Sequence, residues 1–171
     1  LLEGPILVLR TPEGGVHRYD PRADSLVSIG SVASGSRWTS WDRYGVFADS
    51  SGSMLLEIGP EGSWRYELAA PPSWAVPVEG GRVAALVRSD PGPALWLVAR
   101  GGSEPEARQE DGFAVPGIST AWGKRLVLTG GDGSTLRFVT VSSLTGAGEA
   151  TVRGPVSALA ASPSSHEIYA G

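Results

Sequence analysis

Apolar runs of a few residues, separated by glycine-rich turns, return along this chain about every 40 residues. Each unit opens on a polar entry carrying Ser or Trp, then gives an apolar run, a turn, a second apolar run and a weaker third. The unit appears as Trp38-Thr39-Ser40-Trp41 followed by Gly45-Val46-Phe47-Ala48, and as Ser73-Trp74-Ala75-Val76 followed by Arg82-Val83-Ala84-Ala85-Leu86-Val87. It returns as Ile118-Ser119-Thr120-Ala121-Trp122 before Arg125-Leu126-Val127-Leu128, and as Val156-Ser157-Ala158-Leu159-Ala160 before Glu167-Ile168-Tyr169-Ala170. No long helical pattern competes, and the best helical candidate, Leu1 to Leu9, is broken by Gly4-Pro5. Short strands repeated at this spacing predict an all-β chain: a β-propeller, or part of one, of about four four-stranded antiparallel blades.

Four strands, a to d from the axis outward, can be placed in each unit. Ile6 to Leu9, Val16 to Tyr19 and Leu26 to Ile29 read as strands b, c and d of a first blade without an a strand, with Gly14-Gly15 as the b–c turn. The blades span approximately residues 1–35, 36–72, 73–116 and 117–154, with a partial unit over 155–171, in a single domain. Strands Met54 to Ile58, Ala94 to Ala99 and Leu136 to Val141 are the c strands of the second, third and fourth blades. The b strands are nearly continuous apolar runs, as expected where neighbouring blades bury both faces. Trp64-Arg65-Tyr66-Glu67-Leu68 alternates, as a half-exposed outer strand should. The polar stretch from Gly101 to Asp111 predicts a short or irregular outer strand in the third blade.

The ends do not close neatly. The C-terminal a strand could complement the N-terminal b, c and d strands, but the final b strand would then duplicate the first. Two arrangements satisfy this: a four-bladed ring with a spare strand, or part of a larger propeller. Four blades is the low end of the range and the chain stops in mid-blade, which favours the larger ring.

Composition narrows the function. The 171 residues include 24 Gly and 13 Pro, suited to many turns, and 41% are hydrophobic, enough for a substantial core. The net charge of −4 and scattered basic residues argue against a nucleic-acid surface, which needs a basic stripe. The absence of cysteine excludes disulfides, thiolate metal sites and cysteine nucleophiles.

Catalytic and metal motifs are missing. His17 lies in a predicted strand and His166 follows the turn Ser162-Pro163-Ser164-Ser165; no Gly-x-Ser-x-Gly elbow accompanies them. Asp90, Asp111 and Asp132 sit in predicted turns, where Asp favours turn geometry for its own reasons. No calcium loop or paired-histidine spacing occurs. Gly130-Gly131-Asp132-Gly133 lacks the lysine and following helix of a phosphate cradle and reads as a hairpin turn. The expectation is therefore a non-enzyme with no catalytic residue, no metal and no cofactor.

The tryptophans carry the functional expectation. Trp38, Trp41, Trp74 and Trp122 fall in or near inner strands, where aromatics at repeated positions ordinarily wedge between blades. The alternative is that Trp38, Trp41, Trp74 and Trp122, with Asp42, Arg43 and Tyr44, line one rim as a partner-binding surface. Trp, Tyr and Arg are the usual anchors of protein interfaces. The tight connection Trp41-Asp42-Arg43-Tyr44-Gly45 places those side chains at one end of the ring.

Several segments also resemble a known family. Ser40-Trp41-Asp42-Arg43-Tyr44-Gly45-Val46-Phe47 is similar to the Ser-Trp-Asp-x-x-Gly-x-aromatic segment in the propeller of actinobacterial LpqB-type lipoproteins. Gly81 to Arg88 with Ala94 to Arg100, Ala121 to Leu128, and Val156 to Ser162 resemble the same domain in the same order. The resemblance covers about Ser36 to Gly171 and implies a lipoprotein anchored outside the cytoplasmic membrane. It also implies an upstream GerMN domain and a protein partner, the extracellular part of the sensor kinase in an MtrA–MtrB-like two-component system. Neither the lipidated cysteine nor a GerMN domain is in this chain, and the family supplies no catalytic residues to carry over. Other functions open to a propeller are a carbohydrate or cell-wall-binding face, where exposed Trp would stack on sugar rings, and a hydrolase or lyase with its site at the central channel.

Overall fold

A computed structural model describes residues 7–49, 51–90, 92–109, 119–122, 124–130, 133–157, 159–161 and 167–171. Over these residues the chain is built from antiparallel strands and turns, without a helix. The first sheet joins β1 (Leu7–Arg10), β2 (Gly15–Asp20) and β3 (Ser25–Ser31). Three complete four-stranded meanders follow. They are β4 (Arg37–Trp41) to β7 (Gly62–Glu67) through β5 (Tyr44–Ala48) and β6 (Met54–Gly59); β8 (Pro72–Val78) to β11 (Pro105–Gln109) through β9 (Arg82–Arg88) and β10 (Pro93–Ala99); and β12 (Ser119–Trp122) to β15 (Gly146–Thr151) through β13 (Arg125–Thr129) and β14 (Thr135–Thr140). A two-stranded sheet, β16 (Leu159–Ala161) and β17 (Ile168–Ala170), ends the described chain.

Strand alternation explains why these sheets stack. Successive side chains of a strand point to opposite faces, so an apolar run buried on both sides needs a neighbour on each. In the third sheet Val83, Ala85 and Val87 of β9 share a face with Ala94, Trp96 and Val98 of β10 and pack against Val46, Leu55 and Tyr66 of the second sheet. The intervening residues Ala84, Leu86, Leu95 and Leu97 pack the other way, against Leu126, Leu128 and Val139 of the fourth sheet. Phe47, Leu56 and Ile58 repeat this on the far side of the second sheet, against Val16 and Val32. Inner strands also meet from sheet to sheet: β4 lies against β8, β8 against β12, and β12 against β16. The Thr39 hydroxyl donates to the Ala75 carbonyl between the first two of these. Face-stacked four-stranded meanders with their first strands innermost make this fold a β-propeller.

The structure departs from the sequence expectations in places with physical causes. The b strand of the first sheet is not buried on both faces. Val8 packs towards the second sheet, but Leu7 and Leu9 point the other way and are 47% and 49% exposed, because no sheet lies on that face. The C-terminal a strand, expected from Val156, begins only at Leu159. The Val156 N–H bonds the Gly133 carbonyl and the Ser157 N–H bonds the Gly171 carbonyl, which holds this stretch outside a ladder. Among the described residues β16 and β17 form a sheet separate from β1 to β3, so the two ends do not merge into one blade. The outer strand of the third blade is short and its register shifts between Leu97 and Val98, as the polar sequence suggested. The expected strand residues Ile6 and Ile118, and the turn positions Asp111 and Asp132, lie outside the described residues.

The third sheet is a two-sided core layer, so its side chains should be the most sensitive to truncation. Leu95, fully buried, is expected to cost about 2–5 kcal/mol on Leu95→Ala. Urea unfolding followed by tryptophan fluorescence checks this; a loss below about 1 kcal/mol would contradict the packing.

Candidate functional site

A cleft of about 940 Å³ opens between the first and second sheets. Leu7 and Val8 of β1 form one wall, and Trp38, Phe47 and Ile58 of the second sheet the other. Asp42, Arg43 and Tyr44 form its rim. Asp42 and Arg43 are the two-residue loop of the β4–β5 hairpin, closed by the Trp41–Tyr44 pair. Asp42 has φ of 53°, a left-handed conformation that Asp tolerates better than most residues.

The predicted rim residues are thus only partly brought together. Trp38, Asp42, Arg43 and Tyr44 all line the cleft. Trp74 does not: it is 5% exposed and packs between the third and fourth sheets, the wedge role that aromatics on inner strands ordinarily take. Trp41 pairs with Tyr44 and Trp122 with Arg125 along the backbone, and their side chains lie outside what is described. His17 occupies β2 as expected, and His166 is outside the described residues. Among the described residues no group of three or more acids and histidines could hold a metal ion.

Two glycines seat the aromatic rings of the cleft. A Cβ at Gly45 would come within 2.0 Å of the Trp38 ring, so the indole lies directly on the backbone of β5. From there it meets Phe47 at 4.6 Å between centroids, tilted by 50°. A Cβ at Gly59 would come within 2.3 Å of the Tyr44 ring. Larger residues at either position would push these rings into the cleft.

Behind Tyr44 lies a charged network. Glu57, in the middle of β6, is 1% exposed. The Tyr66 hydroxyl donates to its carboxylate. Arg100, just beyond β10 of the next blade, reaches across to donate through Nη2 at 3.0 Å and Nε at 3.3 Å. Its guanidinium lies 3.8 Å from the Trp64 ring centroid and 4.9 Å from that of Tyr44. The Tyr44 hydroxyl in turn donates to Glu61 at 2.7 Å. A buried carboxylate with both an arginine fork and a phenol is satisfied where a lone one would be prohibitively costly.

These contacts move the titrations. Burial, then the bond to Glu57, push the Tyr66 phenol far above its ordinary value. Desolvation is the largest single influence on Arg100 and opposes its charge; attraction and hydrogen bonds from Glu57, with Tyr44, together outweigh it and raise its pKa. The hydrogen bond between Tyr44 and Glu61 raises the phenol and lowers the carboxyl. Sequence reasoning passed over Glu57, Tyr66 and Arg100. The signal was there in part: Glu57 is a single acid inside the apolar run Met54-Leu55-Leu56-Glu57-Ile58.

Chemically, the cleft offers exposed aromatic surface, arginine donors and a hairpin tip, the materials of a recognition surface. No family model and no curated protein matches the sequence. Solved structures do match in fold. The Cps50 (Swd1) β-propeller domain of Myceliophteria thermophila aligns with a TM-score of 0.66 at 17% identity, over 98% of this chain and 58% of that one. A chain of a mitotic checkpoint complex gives 0.65 at 16% identity, over 98% of this chain and 54% of that one. BamB from Moraxella catarrhalis gives 0.63 at 16% identity, over 99% of this chain and 52% of that one. The chain therefore spans a little over half the length of these structures. Their likeness supports the propeller fold and, at such identities, the fold alone.

Arg100→Ala would leave Glu57 buried without its cation and is expected to destabilise by about 3–5 kcal/mol. Glu57→Leu combined with Arg100→Met should recover most of that loss, measured by urea denaturation. Equal losses in the single and double variants would show that packing, not the ion pair, sets the cost. The raised Tyr66 pKa has a definite sign. The folded chain keeps the proton where an unfolded tyrosine, of ordinary value 10.0, gives it up. Its stabilising effect is therefore complete below about pH 10 and is lost as pH rises beyond it. In absorbance titration at 295 nm the Tyr66 step should coincide with unfolding, and Tyr66→Phe should remove that step alone.

Proposed function

We propose that this chain is a non-catalytic interaction propeller of an extracytoplasmic, membrane-anchored lipoprotein of the LpqB kind. Its cleft between the first two blades engages a protein partner, and the candidate partner is the extracellular domain of a sensor histidine kinase in an MtrA–MtrB-like system. The anchor and any upstream domain lie outside this chain. The observation that carries this reading is the convergence of Trp38, Arg43 and Tyr44 on one cleft, with Trp38 41% exposed although its ring is rigidly seated. A preorganised aromatic beside an arginine supplies contact area at low entropic cost. The segments similar to LpqB-type propellers include this hairpin, Trp41 to Gly45. Among the fold neighbours, BBS1N was determined in complex with ARL6DN, and another belongs to a mitotic checkpoint complex. A further one is a hydrazine synthase, so the fold supports more than one use.

Light scattering of this chain mixed with the kinase extracellular domain tests the reading. The expected result is a mass equal to the sum of the two, with Trp38→Ala and Arg43→Ala each weakening binding by about tenfold or more. Circular dichroism should show both variants folded. A mixture that stays as separate components, or folded variants that bind as well as the parent, would overturn it. Tryptophan quenching by cell-wall glycan fragments in that case would move the assignment to carbohydrate.

A further inference from the structure

The first sheet lacks what the three complete sheets have, a strand inside its b strand. The Thr11 N–H bonds the Gly15 carbonyl at 2.8 Å. Antiparallel alternation then commits the backbone groups of Leu9 and Leu7 to β2 and turns those of Val8 and Arg10 to the open edge. That edge borders the cleft. On the opposite wall, the strands β8, β12 and β16 each lie against the inner strand before them, whereas β4 has none before it among the described residues. The exposed face of Trp38 is the surface such a strand would cover.

Charge indicates what kind of strand fits. The chain as a whole carries −4, yet four arginines and only two aspartates line the cleft. Arg10 turns its guanidinium to the carbonyls of Ala33 and Ser36, at 3.2 and 3.3 Å, and takes up no carboxylate there. Arg18, opposite Val8 and on the same sheet face, is half-buried and makes no hydrogen bond or ion pair among the described residues. A half-desolvated guanidinium without a partner is a site for an incoming anion.

We propose that an extended segment of a partner protein, with acidic side chains among apolar ones, adds to the free edge of β1 as its missing inner strand. Main-chain hydrogen bonds to Val8 and Arg10 supply the pairing. Apolar side chains cover Trp38, and a carboxylate on the face shared by Val8 and Arg18 meets the arginine. This rests on the interaction reading above and deepens it, by giving the partner segment a conformation and a charge.

Fluorescence anisotropy of the whole chain with three labelled peptides tests it: alternating valine and glutamate, alternating valine and lysine, and the glutamate peptide N-methylated at alternate backbone nitrogens. The glutamate peptide should bind at least about tenfold more tightly than the other two. Arg18→Glu should reverse the preference between glutamate and lysine. Val8→Pro, which removes one edge N–H, should abolish binding; if that variant fails to fold, the N-methylated peptide on the parent chain makes the same test. Equal binding of the lysine or the N-methylated peptide, or indifference to Arg18→Glu, overturns the proposal. So does a dimer of this chain that Val8→Pro dissociates, since a second copy would then hold the edge. A kinase complex that forms while no peptide binds removes strand addition and leaves the interaction reading standing. Peptide binding with no kinase complex supports strand addition and removes that partner.

Discussion

A four-stranded sheet whose middle strands are apolar on both faces cannot fold alone, and the rest of this structure follows from that constraint. β9 shows it most plainly. Val83, Ala85 and Val87 need one neighbour, Ala84 and Leu86 need another, and each face finds a different blade. Hydrophobic burial of this kind is non-directional, but the period of two converts it into a stacking order. Each blade is then held by its neighbours, and a terminal blade keeps one face open. Leu7, Leu9 and Leu26, all about half exposed, are that open face at the start of the described chain.

Onto this apolar stack a single charged clamp is added. Arg100 leaves the third blade to neutralise Glu57 inside the second, and on the way it packs against Trp64 and Tyr44. The clamp therefore does two things. It ties two blades together with directional bonds that apolar contacts do not supply, and it backs the tyrosine that edges the cleft. The stiffness of the Tyr44 side of the recognition surface comes from an ion pair that itself lies away from any partner. The Trp38 side has a different support, the absence of a Cβ at Gly45.

Much of this was legible along the chain. The turns Gly14-Gly15 and Asp42-Arg43, the alternation of Trp64 to Leu68 and the unbroken run of Arg82 to Val87 are local, and each is set by backbone preference or strand period. The grouping into three complete sheets with a three-stranded one before them follows from the same signals. Of the candidate site, Trp38 and the hairpin from Asp42 to Tyr44 were recoverable because they are neighbours in sequence or across one turn. Trp74 was grouped with them by strand position, although its ring serves the core. A one-residue offset in a strand reverses the face, and the register shift between Pro72 and Trp74 is of that size.

The sequence by itself determined the strands, the turns between them and the number of apolar faces that had to be covered, because those depend on residues close along the chain. Only the tertiary structure decided which faces found partners. It brought Arg100 to Glu57, 43 positions apart, and left the edge of β1 beside an exposed Trp38. Those outcomes depend on how one sheet is set against the next, a distance in space that no local pattern encodes.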